Sequence, residues 1–245
     1  MLKPPAARAA LANHYSPPSL SRDVTLWPLS SELDHPTADR RALRRLLRQR
    51  RRQLTAPERR NAEQALLRRL KRLPELLRAR DIALYLPNDG EIDATRLCRW
   101  LQRRGARVYL PVLRPFAVNS LWFVRYDDHT PLVSNRFGIA EPDTRFGAHK
   151  GRRLPAWALD IVLMPLVGFD EAGARIGMGG GFYDRSFAFT RRAGPRPRLI
   201  GLAHHCQKVP ALPVQAWDIP LDAIVSDREI VRPGREGGSA RFRNP

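Results

Sequence analysis

Apolar residues recur along this chain with two periods, and the changes of period mark its elements. From Thr37, Leu43, Leu46, Leu47 and Leu54 fall at helical spacing with arginines on the remaining faces, the pattern of an amphipathic helix. Thr55-Ala56-Pro57-Glu58 is a capping box that starts a second helix, whose apolar stripe is Ala62, Ala65, Leu66, Leu70 and Leu73. Ile82 to Pro87 reads as a short buried strand running into the turn Asn88-Asp89-Gly90. Asp93 can cap a helix from Ala94 to Arg104, which Gly105 ends. Strands are predicted at Val108–Leu113, Leu121–Val124, Leu199–Ala203 and Asp222–Val225, and Asp127 to Arg153 as an irregular loop. Ile161 to Val167 is a continuous apolar run, expected of a strand buried on both faces.

Strands alternating with helices imply an α/β fold. The expected architecture is a single domain, residues 37–232, with a mostly parallel sheet flanked by helices and a basic helical hairpin at its N-terminal side. Residues 1–36 carry Pro4, Pro5, Pro17, Pro18, Pro28 and Pro36 without sustained periodicity, and 233–245 form a Gly/Arg/Pro tail. Both are expected to be disordered extensions outside the fold. In parallel sheets ligands sit beyond the carboxyl ends of the strands, which would place Glu91 and the stretch after Val167 at one cleft.

That stretch carries the chemistry. The turn Asp170-Glu171-Ala172-Gly173 leads to Arg175, the glycines Gly177, Gly179, Gly180 and Gly181, and a segment Phe182-Tyr183-Asp184-Arg185 that can be helical as far as Arg191. Residues without Cβ let backbone N–H groups approach an anion, an arginine suits phosphate oxygens, and a carboxylate beside them suits Mg²⁺. No Gly-Lys-Ser/Thr follows, and the third glycine of a dinucleotide fingerprint is missing. The loop is a nucleotide-phosphate loop of another kind or a plain flexible turn.

Composition adds a net charge of +19, with only four lysines among 43 basic residues. Sixteen basic residues against three acidic fall between Arg40 and Arg80, which reads mainly as a solvated helix face. The charge is compatible with an anionic substrate. No apolar run reaches the length of a membrane span, and no secretory leader is evident. Cys98 and Cys206 lack metal spacing and read as reduced thiols of a cytoplasmic protein.

In chain order, the basic first helix, Glu91-Ile92-Asp93 after a strand, Phe137-Gly-Ile-Ala-Glu-Pro142, Arg175-Ile-Gly-Met-Gly-Gly-Gly-Phe-Tyr-Asp184, Gly201-Leu-Ala with Gln207, Trp217-Asp218 and Asp222 resemble the 5-formyltetrahydrofolate cyclo-ligase family. The resemblance spans Arg40 to about Glu229, and the glycine loop with its flanking Arg and Tyr-Asp is its most specific part. It implies ATP- and Mg²⁺-dependent conversion of 5-formyltetrahydrofolate to 5,10-methenyltetrahydrofolate; a monomer or weak dimer is expected, with no membrane partner and, in the absence of a nucleic-acid reader motif, nucleic acid disfavoured. It assigns nucleotide contacts to Arg40, Arg41, Ala42, Leu43 and Arg44, and to Arg175, Ile176, Gly177, Met178, Gly179, Gly180, Gly181, Phe182 and Tyr183. Arg175 and Tyr183 are the implied catalytic pair. Leu86, Glu91 and Phe137 fall at folate contacts, and Asp184 and Asp218 at metal-linked aspartates. Arg40 stands where lysine is usual, Phe182 replaces a frequent tyrosine, and His204-His205 replaces a more apolar or acidic pair.

Two other classes stay open on the residues alone. A nucleic-acid-binding module would use the basic 40–80 segment and have no need of the glycine loop or Glu91. A sugar-phosphate or CoA-type enzyme on a similar scaffold would require a base or nucleophile in the cleft.

Overall fold

The computed structural model describes residues 40–115, 117–146 and 150–234; the proline-rich N-terminal segment and the residues beyond 234 lie outside them. In chain order the first strands are β1 (Asp81–Ala83), β2 (Arg107–Leu113), β3 (Leu121–Tyr126), β4 (Leu132–Ser134), β5 (Ala140–Pro142) and β6 (Arg153–Leu154). They are followed by β7 (Ile161–Pro165), β8 (Gly168–Phe169), β9 (Arg175–Ile176), β10 (Arg198–Ala203), β11 (Ala223–Ser226) and β12 (Ile230–Val231). Eight of these form one sheet in the order β12-β11-β10-β7-β1-β2-β3-β6. Its central strands β11, β10, β7, β1 and β2 run parallel, and the marginal pairs β11–β12, β2–β3 and β3–β6 are antiparallel. The expected α/β architecture is therefore present.

Alternation along the central strands divides the core. Ile82, Leu84, Ile161 and Leu163 face α2 (Ala56–Leu70), α3 (Pro74–Arg78) and α4 (Thr95–Arg103), while Ala83, Val162 and Met164 face a second cluster with Phe169 and Phe187. Both faces of β7 are buried, as its unbroken apolar run predicts. The capping box of α2 forms, with Thr55 N–H donating to Glu58 Oε2 at 2.7 Å. Asp93 Oδ1 accepts Thr95 N–H at 2.6 Å at the start of α4, and Gly105 follows its end with φ +81°.

Four sequence expectations change. The first helix, α1 (Arg40–Arg52), does not pack its apolar face against that of α2. Its Leu43 and Leu47 pack with Val167, Ala174, Ile176 and Val209, whereas Ala62, Leu66 and Leu70 of α2 lie on the sheet. The predicted loop at 127–153 contains the hairpin β4–β5, turned by Arg136-Phe137, and ends in the short strand β6. The helix expected as far as Arg191 stops early: α5 spans Phe182–Ser186, and a 3-10 turn covers Ala188–Arg191. Pro233, placed in the tail from sequence, packs on Gly173, where an added Cβ would lie 2.1 Å from its Cγ. Among the described residues no helix is long and apolar enough to cross a membrane.

Leu47 anchors α1 against the hairpin β8–β9 and is completely buried. Leu47→Ala should lower unfolding free energy by roughly 2–5 kcal/mol, measured by urea denaturation. An unchanged midpoint would contradict this docking of α1.

Candidate active site

The parallel strands end on one edge, where a cleft of about 750 Å³ opens. One wall comes from α1. Arg40 Nη1 and Nη2 form a fork onto the two carboxylate oxygens of Asp218, at 2.7 and 3.1 Å, and Arg44 Nε donates to the Gly177 carbonyl at 2.8 Å. The opposite wall is the hairpin β4–β5. Asn135 shapes its tip by accepting the N–H groups of Phe137 and Ile139, and Asn135 Nδ2 donates to Glu141 Oε2 at 2.9 Å. Glu141 also accepts Leu113 N–H at 3.1 Å, which ties the hairpin to β2. Phe137 meets Phe182 edge-on, with ring centroids 5.7 Å apart, so the hairpin tip touches the segment that follows the glycines.

The glycine loop lies between these walls. Gly179 and Gly181 adopt φ of +101° and +67°, which residues with Cβ avoid. Side chains hold the loop by its carbonyls: Arg44 on Gly177, and Asn119 and Arg185 on Gly180 at 2.9 and 2.7 Å. Among the described residues none of the N–H groups from Gly177 to Gly181 donates to a protein acceptor. A loop with its carbonyls tied and its donors unspent suits an anion.

Beside it, Arg175 is buried, donates to Asp184 Oδ1 and places Nε 3.3 Å from the Ile219 carbonyl. Asp184 Oδ1 also accepts Ile219 N–H at 3.1 Å, so Asp184 and Asp218 are brought to one corner of the cleft. Each carboxylate already pairs with an arginine, and among the described residues no cluster of three or more His, Cys, Asp or Glu could enclose a metal. Asp184 Oδ2 has no hydrogen-bond partner among the described residues.

The far end of the cleft is formed by the segment after β1. Glu91 is nearly buried; Oε2 accepts Asn88 N–H at 3.1 Å and Oε1 lies 3.9 Å from Arg51 Nη1. Burial pushes its carboxyl up to about 7 against the opposing pull of Arg51. Tyr85 donates to the Ile92 carbonyl at 2.7 Å. Burial, and then the Glu91 charge, raise the phenols of Tyr85 and Tyr183 above their ordinary range, so Tyr183 can donate a hydrogen bond but is no base at neutral pH.

Of the residues singled out from sequence, Arg40, Arg44, Leu86, Glu91, Phe137, Arg175, Gly177 to Asp184 and Asp218 line this cleft. Leu43 and Ile176 lie instead in the core beneath α1, and the exposed Arg41 and Ala42 are not part of its walls. His204 is buried and held neutral, its imidazole pushed down to about 4 chiefly by burial. A second groove of about 570 Å³, beneath the starts of β7 and β10, contains none of the sequence-derived candidates.

Sequence reasoning missed the residues that brace the cleft. Arg48, Arg51 and Arg52 all reach Asp89, whose left-handed backbone has φ +53°. Burial alone would raise the Asp89 carboxyl, but those hydrogen bonds outweigh it and hold it below its usual range. Arg51 is completely buried, contrary to the solvated face expected of this charge run. Its spacing was the available signal, since 43, 47 and 51 share one helix face.

The family model for 5-formyltetrahydrofolate cyclo-ligases matches residues 36–227. The chain belongs to that family. It is thus a ligase related to the 5-formyltetrahydrofolate cyclo-ligase of Escherichia coli K12, with 43% identity over 187 residues that cover 76% of this chain and 98% of the relative. The cyclo-ligase of Haemophilus influenzae is 42% identical over 185 residues, 76% of this chain and 96% of its own. Among solved structures, the 5,10-methenyltetrahydrofolate synthetase of Aquifex aeolicus superposes with a TM-score of 0.66 at 31% identity, covering 80% of this chain and 94% of that one.

Glu91 makes stability depend on pH. Its folded value of about 7 lies above the ordinary 4.5, so between these the native state holds more protons and stability falls as pH rises. Glu91→Gln should remove that slope, gaining on the order of 2 kcal/mol on wild type between pH 5 and pH 8, read by urea denaturation at both. Parallel pH profiles for the two proteins would show that Glu91 is not strained by burial.

Proposed function

We propose that this chain closes 5-formyltetrahydrofolate to 5,10-methenyltetrahydrofolate, consuming ATP with Mg²⁺ and releasing ADP and phosphate. The observation that carries the proposal is the single cleft in which an anion-suited glycine loop flanked by Arg40, Arg44 and Arg175 meets a pocket end formed by Glu91, Tyr85 and Leu86. The names of the relatives support the folate half of the reaction. The N-terminal and C-terminal segments outside residues 37–234 are not needed for it.

A formyl oxygen on an amide nitrogen is a poor leaving group. Attack of that oxygen on the γ-phosphorus breaks the bond to ADP and makes the oxygen part of a phosphate ester. N10 then adds to the activated carbon and gives up its proton, and phosphate departs with the former formyl oxygen. The protein's task is alignment and charge neutralisation. The N–H groups of Gly177 to Gly181 and the Arg175 guanidinium receive phosphate oxygens, Arg40 and Arg44 complete the cationic wall, and Glu91 accepts the N–H edge of the pterin. Tyr183, kept protonated, donates near the reacting groups. Asp184 and Asp218 are the residues that would hold Mg²⁺; two carboxylates together with substrate phosphates are a donor set this ion takes. When bound it offsets charge on the transferring phosphoryl group.

The basic composition does not favour a nucleic-acid reading. Arg48, Arg51 and Arg52 are spent on Asp89, Arg59 on the Arg52 carbonyl and Arg69 on the Arg228 carbonyl.

The deciding assay follows the methenyl product by its absorbance with and without ATP. Product should form only when ATP and Mg²⁺ are both present, and absence of turnover with both would overturn the proposal. Asp184→Asn should reduce turnover on the order of 10²-fold and raise the Mg²⁺ concentration needed for half activity. Because Asp184 is also the counter-ion of Arg175, the Mg²⁺ curve is the informative readout, and a wild-type curve would remove Asp184 from the metal site.

A further inference from the structure

The carboxylate at the folate end of the cleft is not bonded to the cation beside it. Arg51 directs its donors elsewhere: Nε and Nη2 to the carbonyl and carboxylate of Asp89, each at 2.9 Å, and Nη1 to the Leu166 carbonyl at 3.3 Å. Three acceptors on two segments fix the plane of the guanidinium, whose donors form a rigid fork. Glu91 Oε1 stands 3.9 Å from Nη1, beyond hydrogen-bond range, and has no hydrogen-bond partner among the described residues. Oε2 is occupied by Asn88 N–H. Arg51 is thus a solvent-free positive charge that attracts Glu91 without occupying the oxygen left for a ligand.

The geometry points to Arg51 as a positioning residue for Glu91, favouring its charged form and leaving Oε1 open to the cleft so that a ligand N–H group completes the pair. The ligand in this inference rests on the proposal that Glu91 contacts folate. The other groups facing Glu91 do not replace Arg51. Asp89, on the same loop, disfavours a second negative charge there, and Tyr85 after β1 and Tyr183 on α5 face it as neutral phenols that supply no compensating charge. Arg48 on α1 helps less than Arg51 does, and burial is the foremost influence against ionisation. Without Arg51 the charged form would be disfavoured further.

Glu91 can be titrated without substrate from the carboxyl ¹³C shift of glutamate-labelled protein, with Glu91→Gln assigning the signal. Arg51→Gln should raise its midpoint by about one pH unit or more, since an opposite charge at this separation is removed. Arg51→Lys should raise it less, because an ammonium keeps charge but not the fork. The dissociation constant of 5-formyltetrahydrofolate, followed across pH, should lose affinity with the same displaced midpoint. A midpoint unmoved in both variants, with affinity reduced equally at every pH, would overturn the inference and leave Arg51 a purely structural residue. If Arg51→Gln does not fold, Arg51→Lys decides by itself: a raised midpoint supports the inference and an unmoved one overturns it. A raised midpoint with a pH-independent folate affinity would keep the Arg51–Glu91 link and remove Glu91 from the folate contact.

Discussion

Arg51 joins the two strand ends that part at the middle of the sheet. From β1 the chain proceeds to β2 on one side, and from β7 it proceeds to β10 and β11 on the other. A crevice opens beyond the carboxyl ends wherever strand order reverses in this way. Arg51 bridges it, from the Leu166 carbonyl after β7 to Asp89 in the segment after β1. Burying a guanidinium is costly unless it is paired and fully bonded, and Asp89 supplies both the charge and two of the acceptors. The same contact fixes α1 over the crevice, and Arg44, two turns earlier, then reaches the glycine loop.

The candidate functional side chains consequently come from five separated segments: α1, the turn after β1, the tip of β4–β5, the glycine loop into α5, and Trp217-Asp218. Four of them are tied to one another by polar contacts, and the tip of β4–β5 meets the glycine-loop segment through the rings of Phe137 and Phe182. Arg40 ties α1 to Asp218, Arg44 ties it to Gly177, and Asp184 with Arg175 clamps the backbone of Ile219. These bonds use loop carbonyls, one oxygen of Asp184 and both of Asp218, and leave the N–H groups of Gly177 to Gly181 and Oε1 of Glu91 for ligands. Much of the positive charge is committed to holding the cleft in shape.

The parts legible in the sequence are those where one local rule acts alone. The apolar run of β7, the Thr55–Glu58 box and the glycines flanked by Arg175 and Asp184 could all be read along the chain. The hairpin β4–β5 could not, because Leu132, Val133 and Ser134 are all exposed and show no buried face in their pattern. Arg51 looked like one more surface arginine, although it continues the stripe of Leu43 and Leu47. The pairing of α1 with α2 was inferred from adjacency, whereas their apolar faces go to different clusters. That Asp184 and Asp218 already hold arginines depends on contacts across 9 and 178 residues of sequence, which no local pattern encodes.

In the proposed reaction the formyl oxygen attacks the γ-phosphate and leaves with the phosphate, so its fate can be followed. With 5-formyltetrahydrofolate carrying ¹⁸O in the formyl group, mass analysis should find one ¹⁸O in each phosphate released during turnover. Phosphate containing only unlabelled oxygen, with methenyl product formed at the same rate, would contradict the account.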